Sequence, residues 1–334
     1  MTGLLTRSTI VVVTWRGKGH VSACLDAVAA QTRPHRLLVV DNASDDGTAA
    51  VLATHPAKPE VLRLPVNAGY AGALAAVAGN DVVDTEFTAW LNDDAEPAPD
   101  WLARLEDALD QDEAAAAAGS RMVGLDGAVI SLGVGLTADG HGVDLTDETA
   151  PVFGFCGGAA LLRTAALRRA GGVPARFFCY YEDTDTAWRL RLANHTIVSV
   201  PDALVVHRHG ASTRPGSRRF HLWNERNRLA MLLRCAPAGV AVREVARFAA
   251  ITALLPLRQL RRLTGRRDEG PRHHARPAEP WPPWNFRVGL RLRVLGELVA
   301  SLPRILRERH AVTDLAEIPR SAVWRAARSP NPSG

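Results

Sequence analysis

The first 112 residues alternate between short apolar runs and segments with helical spacing, and this alternation constrains the fold more than any other feature. After the first run, for example, Val21, Leu25 and Val28 recur at helical intervals. The four runs are STIVVVT (8–14), RLLVVD (36–41), VLRLP (61–65) and EFTAWL (86–91). Strands that alternate with helices form a parallel sheet covered on both faces. The pattern therefore predicts an α/β fold with a ligand site at the carboxyl ends of the strands.

Two acidic segments, VVDNASDDGT (39–48) and WLNDDAEP (90–97), each follow a predicted strand, so we expect both to line one crevice. Asp93 and Asp94 are adjacent like charges, and their repulsion must be offset by solvent, a helix N-terminus or a cation. Carboxylate oxygens are the ligands that Mg²⁺ and other hard cations prefer. The alternative is that both residues are turn and helix-capping residues ahead of Pro97 and Pro99.

The regular alternation ends near residue 112. SRMVG, AVISLG and VFGFCGGAALLRT predict shorter strands of mixed direction, and EDTDTAWRLRLA (182–193) predicts a helix. TIVSVPDALVVHRHG (196–210) is typical of two strands that meet at a Pro-Asp turn. From residue 221 onward the pattern predicts amphipathic helices with arginine on one side, interrupted by a Pro- and His-rich linker over 270–285.

The two parts of the chain carry opposite net charge. Residues 1–207 contain 15 Lys and Arg against 26 Asp and Glu, whereas residues 208–334 contain 25 against 9. Lys18 and Lys58 are the only lysines, so nearly every cation is an arginine. An arginine-rich tail can bind the phosphates of lipid head groups, nucleic acid or a diphosphate ligand. FAAITALLPL, the longest uncharged stretch of the tail, has about half the length of a membrane span.

The four cysteines lie far apart, which argues against a zinc site or a disulfide framework: Cys24, Cys156, Cys179 and Cys235. We therefore expect reduced thiols in a cytosolic protein. The apolar run near the N-terminus is too short for a signal peptide. No G-x-G-x-x-G follows the first strand, where TWRGKGH stands instead, so a dinucleotide-dependent oxidoreductase is disfavoured.

Four blocks together resemble glycosyltransferase family 2, the inverting enzymes of the GT-A fold, and especially its bacterial rhamnosyltransferase-like branch. They are TIVVVTW with LLVVDNASDDGT; LPVNAGYAGA; WLNDDAEP; and GFCGGAALLRTAALRRAGGVPARFFCYYEDTDTAWRLR with VVHRHG. The resemblance implies a Rossmann-like GT-A catalytic domain over 1–235, with a nucleotide-binding half (about 1–112) and an acceptor half (about 113–235). A basic helical extension over 236–334 would follow.

The resemblance also implies roles for individual residues. Nucleotide-sugar contacts fall on Thr14, Trp15, Asp41, Asn42, Asn67, Gly69, Asn92 and Asp93. Asp94 and His207 match the family's positions for binding a divalent cation, Mg²⁺ or Mn²⁺. Glu182 and Asp183 match the family's ED motif, in which the aspartate, here Asp183, is the base. Two departures weaken the match: Asn92 is a neutral first position of the aspartate motif, and the asparagine that often follows N-x-G-[FY] is absent from NAGYAGALAAV.

The residues of the second half also have plainer interpretations. The carboxylates of EDTD could serve as an acidic first turn ahead of Arg189 and Arg191, and GFCGG could be a tight bend. His207 and His209 alternate along a strand and so face opposite sides, and a lone strand-end histidine is more often a surface or hydrogen-bonded residue than a ligand. A basic loop after them, with Arg214, Arg218 and Arg219, would be either a lid over the diphosphate or solvated.

The sequence thus predicts a metal-dependent, inverting glycosyltransferase. Its partners would be a dTDP- or UDP-linked sugar, plausibly rhamnose, a lipid-linked or polysaccharide acceptor, and the anionic inner face of the cell membrane, with Trp281, Trp284 and Phe286 at the interface. Nucleic acid is not expected because no reader motif is present. The alternatives are basic helices that pack on the catalytic domain, and a catalytically silent scaffold of the same fold.

Overall fold

The structure is a computed structural model that describes residues 6–78, 82–208, 216–264 and 284–328 of the 334-residue chain. The chain forms two compact units. The first comprises Met1–Ala211 together with Ala311–Gly334, and the second comprises Ser212–His310. The predicted division near residue 235 stays a prediction.

The first half of the first unit is the predicted parallel sheet. Its strands are β1 (Ser8–Thr14), β2 (His35–Asp41), β3 (Glu60–Arg63) and β4 (Phe87–Asn92), and the pairs β1–β2, β1–β4 and β2–β3 are all parallel. The helices between and after them are α1 (Val21–Ala29), α2 (Thr48–Thr54), α3 (Gly69–Ala78) and α4 (Trp101–Gln111). Every residue of β1 is buried, as expected for a strand covered on both faces.

The second half of this unit extends the same sheet with strands of mixed direction, as predicted. They are β5 (Ala95–Pro97), β6 (Ala115–Val123), β7 (Val129–Ser131), β10 (Ala159–Arg163) and β11 (Thr196–His207). A separate hairpin is formed by β8 (Val134–Leu136) and β9 (Gly142–Asp144). The order in the main sheet is β3-β2-β1-β4-β10-β6-β11-β5, with β7 against β6, and β10 is antiparallel to both of its neighbours.

Three helices complete the first unit: α5 (Thr164–Arg169), α6 (Glu182–Leu192) and α10 (Arg320–Ala326). The sequence did not predict α10. Its Trp324 stacks on Trp188 of α6, with ring centroids 5.8 Å apart and planes inclined by 6°. The backbone N–H groups of Glu317 and Ile318 donate to the carbonyl of Leu192, the last residue of α6.

Two sequence interpretations of the sheet are wrong. Residues 196–207 form one strand, not two strands around a turn, and the Pro-Asp pair lies at a register shift between Val200 and Leu204. Proline lacks an N–H, so it is accommodated at such a bulge. In addition, β6 begins at Ala115 and includes the four buried alanines at 115–118. The sequence predicted a strand only for SRMVG, which follows them.

The second unit is helical, as predicted. It contains α7 (Arg218–Cys235), α8 (Ala238–Thr264), a short 3₁₀ turn (Trp284–Phe286) and most of α9 (Val288–Asp314). Most of the predicted 270–285 linker, with Trp281, lies outside the described residues. Within the described parts of the chain, no helix is long and apolar enough to span a bilayer. None of the four cysteines, all of them described, is in a disulfide.

Candidate active site

The strand order brings the predicted site residues to one edge of the sheet. The carboxyl ends of β1, β2 and β4 lie side by side, and β11 also runs in this direction. Thr14, Asp41, Asn92 and His207 are the last residues of these four strands. The turn between β4 and β5 places Asp93 and Asp94 at the same edge.

The two adjacent carboxylates are buried, with only 4% of Asp93 and 6% of Asp94 exposed. They have different partners. The Thr14 hydroxyl donates to Asp93 Oδ2 over 2.6 Å, and His20 Nε2 lies 3.2 Å from the same oxygen. His207 Nε2 lies 2.9 Å from Asp94 Oδ1. Separate protein groups, rather than bulk water, therefore offset each charge.

His20 is a residue of this site that sequence reasoning missed. It lies immediately before α1, and its contact with Asp93 is an ionic contact without the alignment of a full hydrogen bond. Interaction with Asp93 raises the pKa of His20 above its usual value, against the effect of burial. The only signal in the sequence was its position after the first strand, where the resemblance assigned no role.

Burial opposes ionisation of Asp94, but contact with His207 and the positive potential of His20 outweigh it, so the pKa of Asp94 is lowered. Asn92 Nδ2 lies 3.3 Å from His207 Nε2, which places the predicted first and last residues of the aspartate motif around one imidazole. His207 is itself buried and lies within hydrogen-bond distance of Asp94, so it is a hydrogen-bonded residue and not a surface one.

The loop after β1 closes over this pair of carboxylates. A Cβ atom built on Gly17 would lie 2.6 Å from Asp93 Oδ2 and would also overlap the Thr14 hydroxyl, so only glycine fits without a shift. The acidic residues of the first segment are engaged by the same loop: Arg16 pairs with Asp45, and the Lys18 amide donates to Asp46.

The residues predicted to contact the nucleotide are held in place by the protein. Asp41 is buried, pairs with Arg63 and accepts the Ser44 amide. The Asn42 side chain accepts from the Ala68 amide and donates to the Gly69 carbonyl. Asn67 Oδ1 accepts the Gly69 amide over 2.9 Å. Trp15 is partly buried, with the Arg16 guanidinium 5.0 Å from its ring centroid.

The start of α3 is packed tightly against the segment that precedes α6. Gly69 has φ +74°, and a Cβ there would overlap the backbone of Phe178, whose carbonyl accepts the Ala71 amide. Phe178, Tyr180 and Tyr181 all have positive φ, a conformation that non-glycine residues rarely adopt. Such backbone strain just before the ED motif is typical of functional sites.

Glu182 and Asp183 form the first turn of α6, as predicted. Glu182 is 6% exposed, and burial, with repulsion from Asp183, raises its pKa to about 8. Burial also raises the pKa of Asp183, although the amides of Gly157 and Thr184 donate to its carboxylate. Asp183 remains partly exposed, so a substrate hydroxyl can reach it.

Asp185 of the EDTD segment has a structural role, in line with the interpretation of these carboxylates as an acidic first turn ahead of Arg189. Asp185 is completely buried and pairs with Arg189 over 2.8 Å. Arg189 also donates to the carbonyls of Ala170 and Gly172. This pair supports α6 from within the core, whereas Glu182 and Asp183 lie at its open end.

The GFCGG segment connects the ED motif at the start of α6 with the aspartate motif at the end of β4. Gly157 donates its amide to Asp183 Oδ2 over 2.9 Å, and the carbonyl of Gly158 accepts the amide of Asn92 over 2.9 Å. A Cβ on Gly157 would lie 3.1 Å from the Cβ of Asp183, and one on Gly158 would lie 3.1 Å from Asn92 Nδ2. The glycines therefore permit close approach of α6 to the end of β4.

Asp94 and His207 fit a hard cation that also binds substrate. Among the described residues, no group of three or more His, Cys, Asp or Glu side chains is arranged to hold a metal ion. Mg²⁺, however, often takes only one or two protein ligands and completes its shell with phosphate and water. Neighbouring ligands of such an ion are about 3 Å apart, close to the 2.9 Å between Asp94 Oδ1 and His207 Nε2.

The predicted arginine lid is described only in part. His209 and Arg214 lie outside the described residues. Arg218 and Arg219 are the first residues of α7, in the second unit, and the Arg218 guanidinium lies 6.0 Å from the ring centroid of Trp284. Their assignment to a lid stays a prediction.

Comparison with known proteins gives four similarities. Residues 9–171 match the family model "Glycosyl transferase family 2". N-acetylglucosaminyl-diphospho-decaprenol L-rhamnosyltransferase of Mycobacterium tuberculosis is 28% identical over 236 residues, which cover 61% of this chain and 76% of the relative. TarS 1–349 of S. aureus, solved with UDP-GlcNAc, has a TM-score of 0.53 at 17% identity and covers 97% of this chain and 92% of its own.

A further solved structure has the same architecture. The mannosyltransferase PcManGT of Pyrobaculum calidifontis, solved with GDP-Man and Mn²⁺, has a TM-score of 0.50 at 19% identity, and the match covers 96% of this chain and 79% of that one. At these identities the solved structures establish the fold, and the family model establishes the class of enzyme. Residues 9–171, just under half of the chain, therefore match a glycosyltransferase family 2 domain, the fold is GT-A, and these similarities together indicate a nucleotide-sugar glycosyltransferase.

Proposed function

We propose that this enzyme is a metal-dependent, inverting glycosyltransferase that moves rhamnose from a dTDP- or UDP-linked donor to a lipid-linked or polysaccharide acceptor. One observation carries the proposal. Asp183 contacts Gly157, Gly158 contacts Asn92, and Asn92 and Asp94 both lie beside His207. The group that would accept a proton and the groups that would hold a cation thus belong to one connected, largely buried cluster.

The donor nucleotide would lie across the ends of β1 and β2. Trp15 offers an aromatic face for the base, and the loop residues Asn67 and Gly69 lie at the start of α3, held by Asn42. Asp41, Asn92 and Asp93 complete this edge, and Thr14 holds Asp93 through its hydroxyl. In this arrangement the side chains are prepositioned, so little ordering is needed when the donor binds.

Asp94 and His207 would hold Mg²⁺ or Mn²⁺, which neutralises the negative charge on the departing diphosphate. The lowered pKa of Asp94 keeps this carboxylate ionised and ready to bind a cation at neutral pH.

Asp183 would act as the general base. It takes the proton from the acceptor hydroxyl while the acceptor oxygen bonds to the anomeric carbon and the bond to the diphosphate breaks. Burial makes Asp183 a stronger base than an ordinary carboxylate, and its bonds to Gly157 and Thr184 fix its orientation. Glu182, with a pKa of about 8, is mostly protonated at neutral pH, so it adds no second negative charge and can donate a hydrogen bond to the acceptor.

The similarity to a relative named for a decaprenol diphosphate substrate supports a lipid-linked acceptor and a membrane location. A polyprenyl-linked acceptor stays in the membrane, so an enzyme that uses it must work at the membrane surface. We place this chain at the inner face of the cell membrane. No observation on the described residues favours a catalytically silent scaffold.

A donor screen tests the proposal. The purified chain is incubated with Mn²⁺ or Mg²⁺ and a panel of nucleotide sugars, and mass spectrometry detects the released nucleotide. We expect turnover of a dTDP- or UDP-linked sugar that EDTA abolishes. Asp94→Ala and Asp183→Asn should each lower turnover at least about a thousandfold.

Asp45→Asn is the matched control, because Asp45 lies in the loop after β2 at the same edge of the sheet but is exposed and pairs with Arg16. It should retain near wild-type turnover. Full activity of either Asp94→Ala or Asp183→Asn would refute the assigned role.

A further inference from the structure

We propose that the exposed faces of α8 and α9 form a docking surface for a bilayer that contains anionic lipids. This inference deepens the proposed function and rests on it for the membrane location of the acceptor. Its structural evidence comes entirely from the second unit.

Exposed apolar side chains are concentrated in this unit. Of the eleven large hydrophobic side chains that are exposed in the described parts of the chain, seven belong to it, with exposed fractions from 36% to 67%. They are Val242 and Leu254 of α8, Phe286 of the 3₁₀ turn, and Leu292, Val299, Leu302 and Leu306 of α9. The first unit, more than twice as long, exposes only four.

The four residues of α9 form a stripe. Leu292, Val299 and Leu306 are seven residues apart, which returns them to nearly the same side of the helix, and Leu302 lies one turn before Leu306. The stripe is about 21 Å long at the rise of an α-helix. The buried apolar side chains of α9 lie on a different side of the helix, and they include Leu290, Val294, Leu298 and Ile305. The core of the unit therefore leaves this stripe uncovered.

Cationic side chains flank the apolar residues. Arg293 and Arg307 are exposed residues of α9, and Arg243 and Arg247 are exposed residues of α8. Within the unit, Arg293 pairs with Glu297, and Arg243 and Arg247 pair with Glu244. Residues 212–310 contain 21 arginines against 7 acidic residues and no lysine, so cations remain in excess. A guanidinium group can donate two parallel hydrogen bonds to phosphate oxygens, so these exposed arginines suit lipid head groups.

An apolar stripe with cations beside it is the signature of a helix that lies in the plane of the membrane interface. A second copy of the chain is a poorer occupant, because two such arginine-rich surfaces repel each other. The observations therefore favour the bilayer.

Flotation of the full chain with vesicles tests the inference. We expect wild-type protein to float with vesicles of phosphatidylcholine mixed with phosphatidylglycerol and not with phosphatidylcholine alone. The triple variant Leu292→Ser, Val299→Ser, Leu306→Ser should bind the anionic vesicles at least tenfold more weakly. Arg293→Gln with Arg307→Gln should weaken binding several-fold and reduce its sensitivity to salt.

The control is a matched triple variant on the first unit: Val61→Ser, Val66→Ser, Leu125→Ser. These side chains are 47%, 66% and 71% exposed, against 56%, 67% and 45% for the stripe. It should bind vesicles as the wild type does, and circular dichroism should show that both triple variants are folded. Equal binding to neutral vesicles, or equal loss in both triple variants, would overturn the inference. So would a wild-type dimer in light scattering that only the stripe variant dissociates.

Donor hydrolysis in solution separates this inference from the proposed function. The stripe variant should hydrolyse the nucleotide sugar at the wild-type rate, because none of its three substitutions falls on a residue assigned to the candidate site. Hydrolysis without vesicle binding would refute the docking surface alone. Vesicle binding without any donor turnover would refute the proposed function and leave the docking surface supported.

Discussion

At the scale of single residues, the site depends on how two adjacent carboxylates are separated in role. Asp93 is held by Thr14 and His20, whereas Asp94 is held by His207. Asp93 thus lies against the β1–α1 loop, whereas the carboxylate of Asp94 pairs with His207 on the other side. This division agrees with the proposal that Asp94, rather than Asp93, binds the cation.

The loop glycines provide a test of this division. In Gly17→Ala the new methyl group would lie 2.6 Å from Asp93 Oδ2, so Asp93 or the loop must move. Because small displacements of positioning groups cost about a hundredfold in rate, we expect at least a tenfold loss in kcat/KM for donor hydrolysis. Gly19→Ala is the control, since its methyl group would have no neighbour within 4 Å. Equal activity of the two variants would contradict the prediction.

Glu182 gives a prediction for pH. Its pKa is raised from 4.5 to about 8 in the folded protein, so between these values the unfolded chain has lost a proton that the folded chain keeps. The contribution of Glu182 to stability is therefore fully present below about pH 4.5 and falls as pH rises to about 8, by up to about 1.4 kcal/mol per pH unit.

Glu182→Gln removes this titration. We expect the free energy of unfolding of the variant, minus that of the wild type, to increase steadily between about pH 5 and about pH 8 and then to level off. Urea unfolding of both proteins across this range measures it, and other titrating groups cancel in the difference. A flat difference would mean that Glu182 is ionised in the folded protein at neutral pH.

At the scale of elements, α6 is held at both ends. Its first turn contacts Gly157, its last carbonyl accepts from Glu317 and Ile318, and its Trp188 stacks on Trp324 of α10. A segment more than 120 residues later in the sequence thus supports the helix that carries the proposed base. The position of Asp183 therefore depends on packing that no local pattern specifies.

Trp324→Ala tests this support. Trp324 is 6% exposed, and truncation of a buried tryptophan costs about 3 kcal/mol or more. We expect a loss of this size in the free energy of unfolding, with lower transfer activity because α6 loses its packing partner. Trp324→Phe, which keeps an aromatic ring against Trp188, should recover most of both losses. Unfolding of Trp324→Ala at the wild-type denaturant concentration would show that α10 does not support α6.

At the scale of the whole molecule, binding and folding are linked. A ligand that binds only the folded chain stabilises it, by about 2.7 kcal/mol at a hundredfold excess over its Kd. We expect dTDP or UDP with Mn²⁺ to raise the free energy of unfolding by about this amount, and EDTA to remove most of the gain. Denaturant titration measures both.

The variants distinguish the source of this stabilisation. Asp94→Ala should lose the Mn²⁺-dependent part, because one of two protein ligands is missing. Asp45→Asn should keep it. Equal stabilisation by the nucleotide with and without Mn²⁺ would contradict a bridging role for the metal.

Several features were predictable from local pattern alone. The β-branched run of β1 matches its predicted bounds, and the ED motif begins α6 as expected. The acidic segments after β2 and β4 lie at the same edge of the sheet, because parallel strands that alternate with helices all end at that edge. Local periodicity and the alternation of strands with helices are properties of residues close together in the sequence, so the sequence determines them.

Other features depended on the tertiary structure. The alanines of β6 favour helix by propensity, yet they are fully buried as strand between β10 and β11. His20 reaches Asp93 across 73 residues of sequence, and Trp324 reaches Trp188 across a whole helical unit. The sequence by itself determined the fold class, the family and the edge where the chemistry lies, whereas only the tertiary structure decided which distant side chains pair there, because burial and contact depend on the whole packed chain.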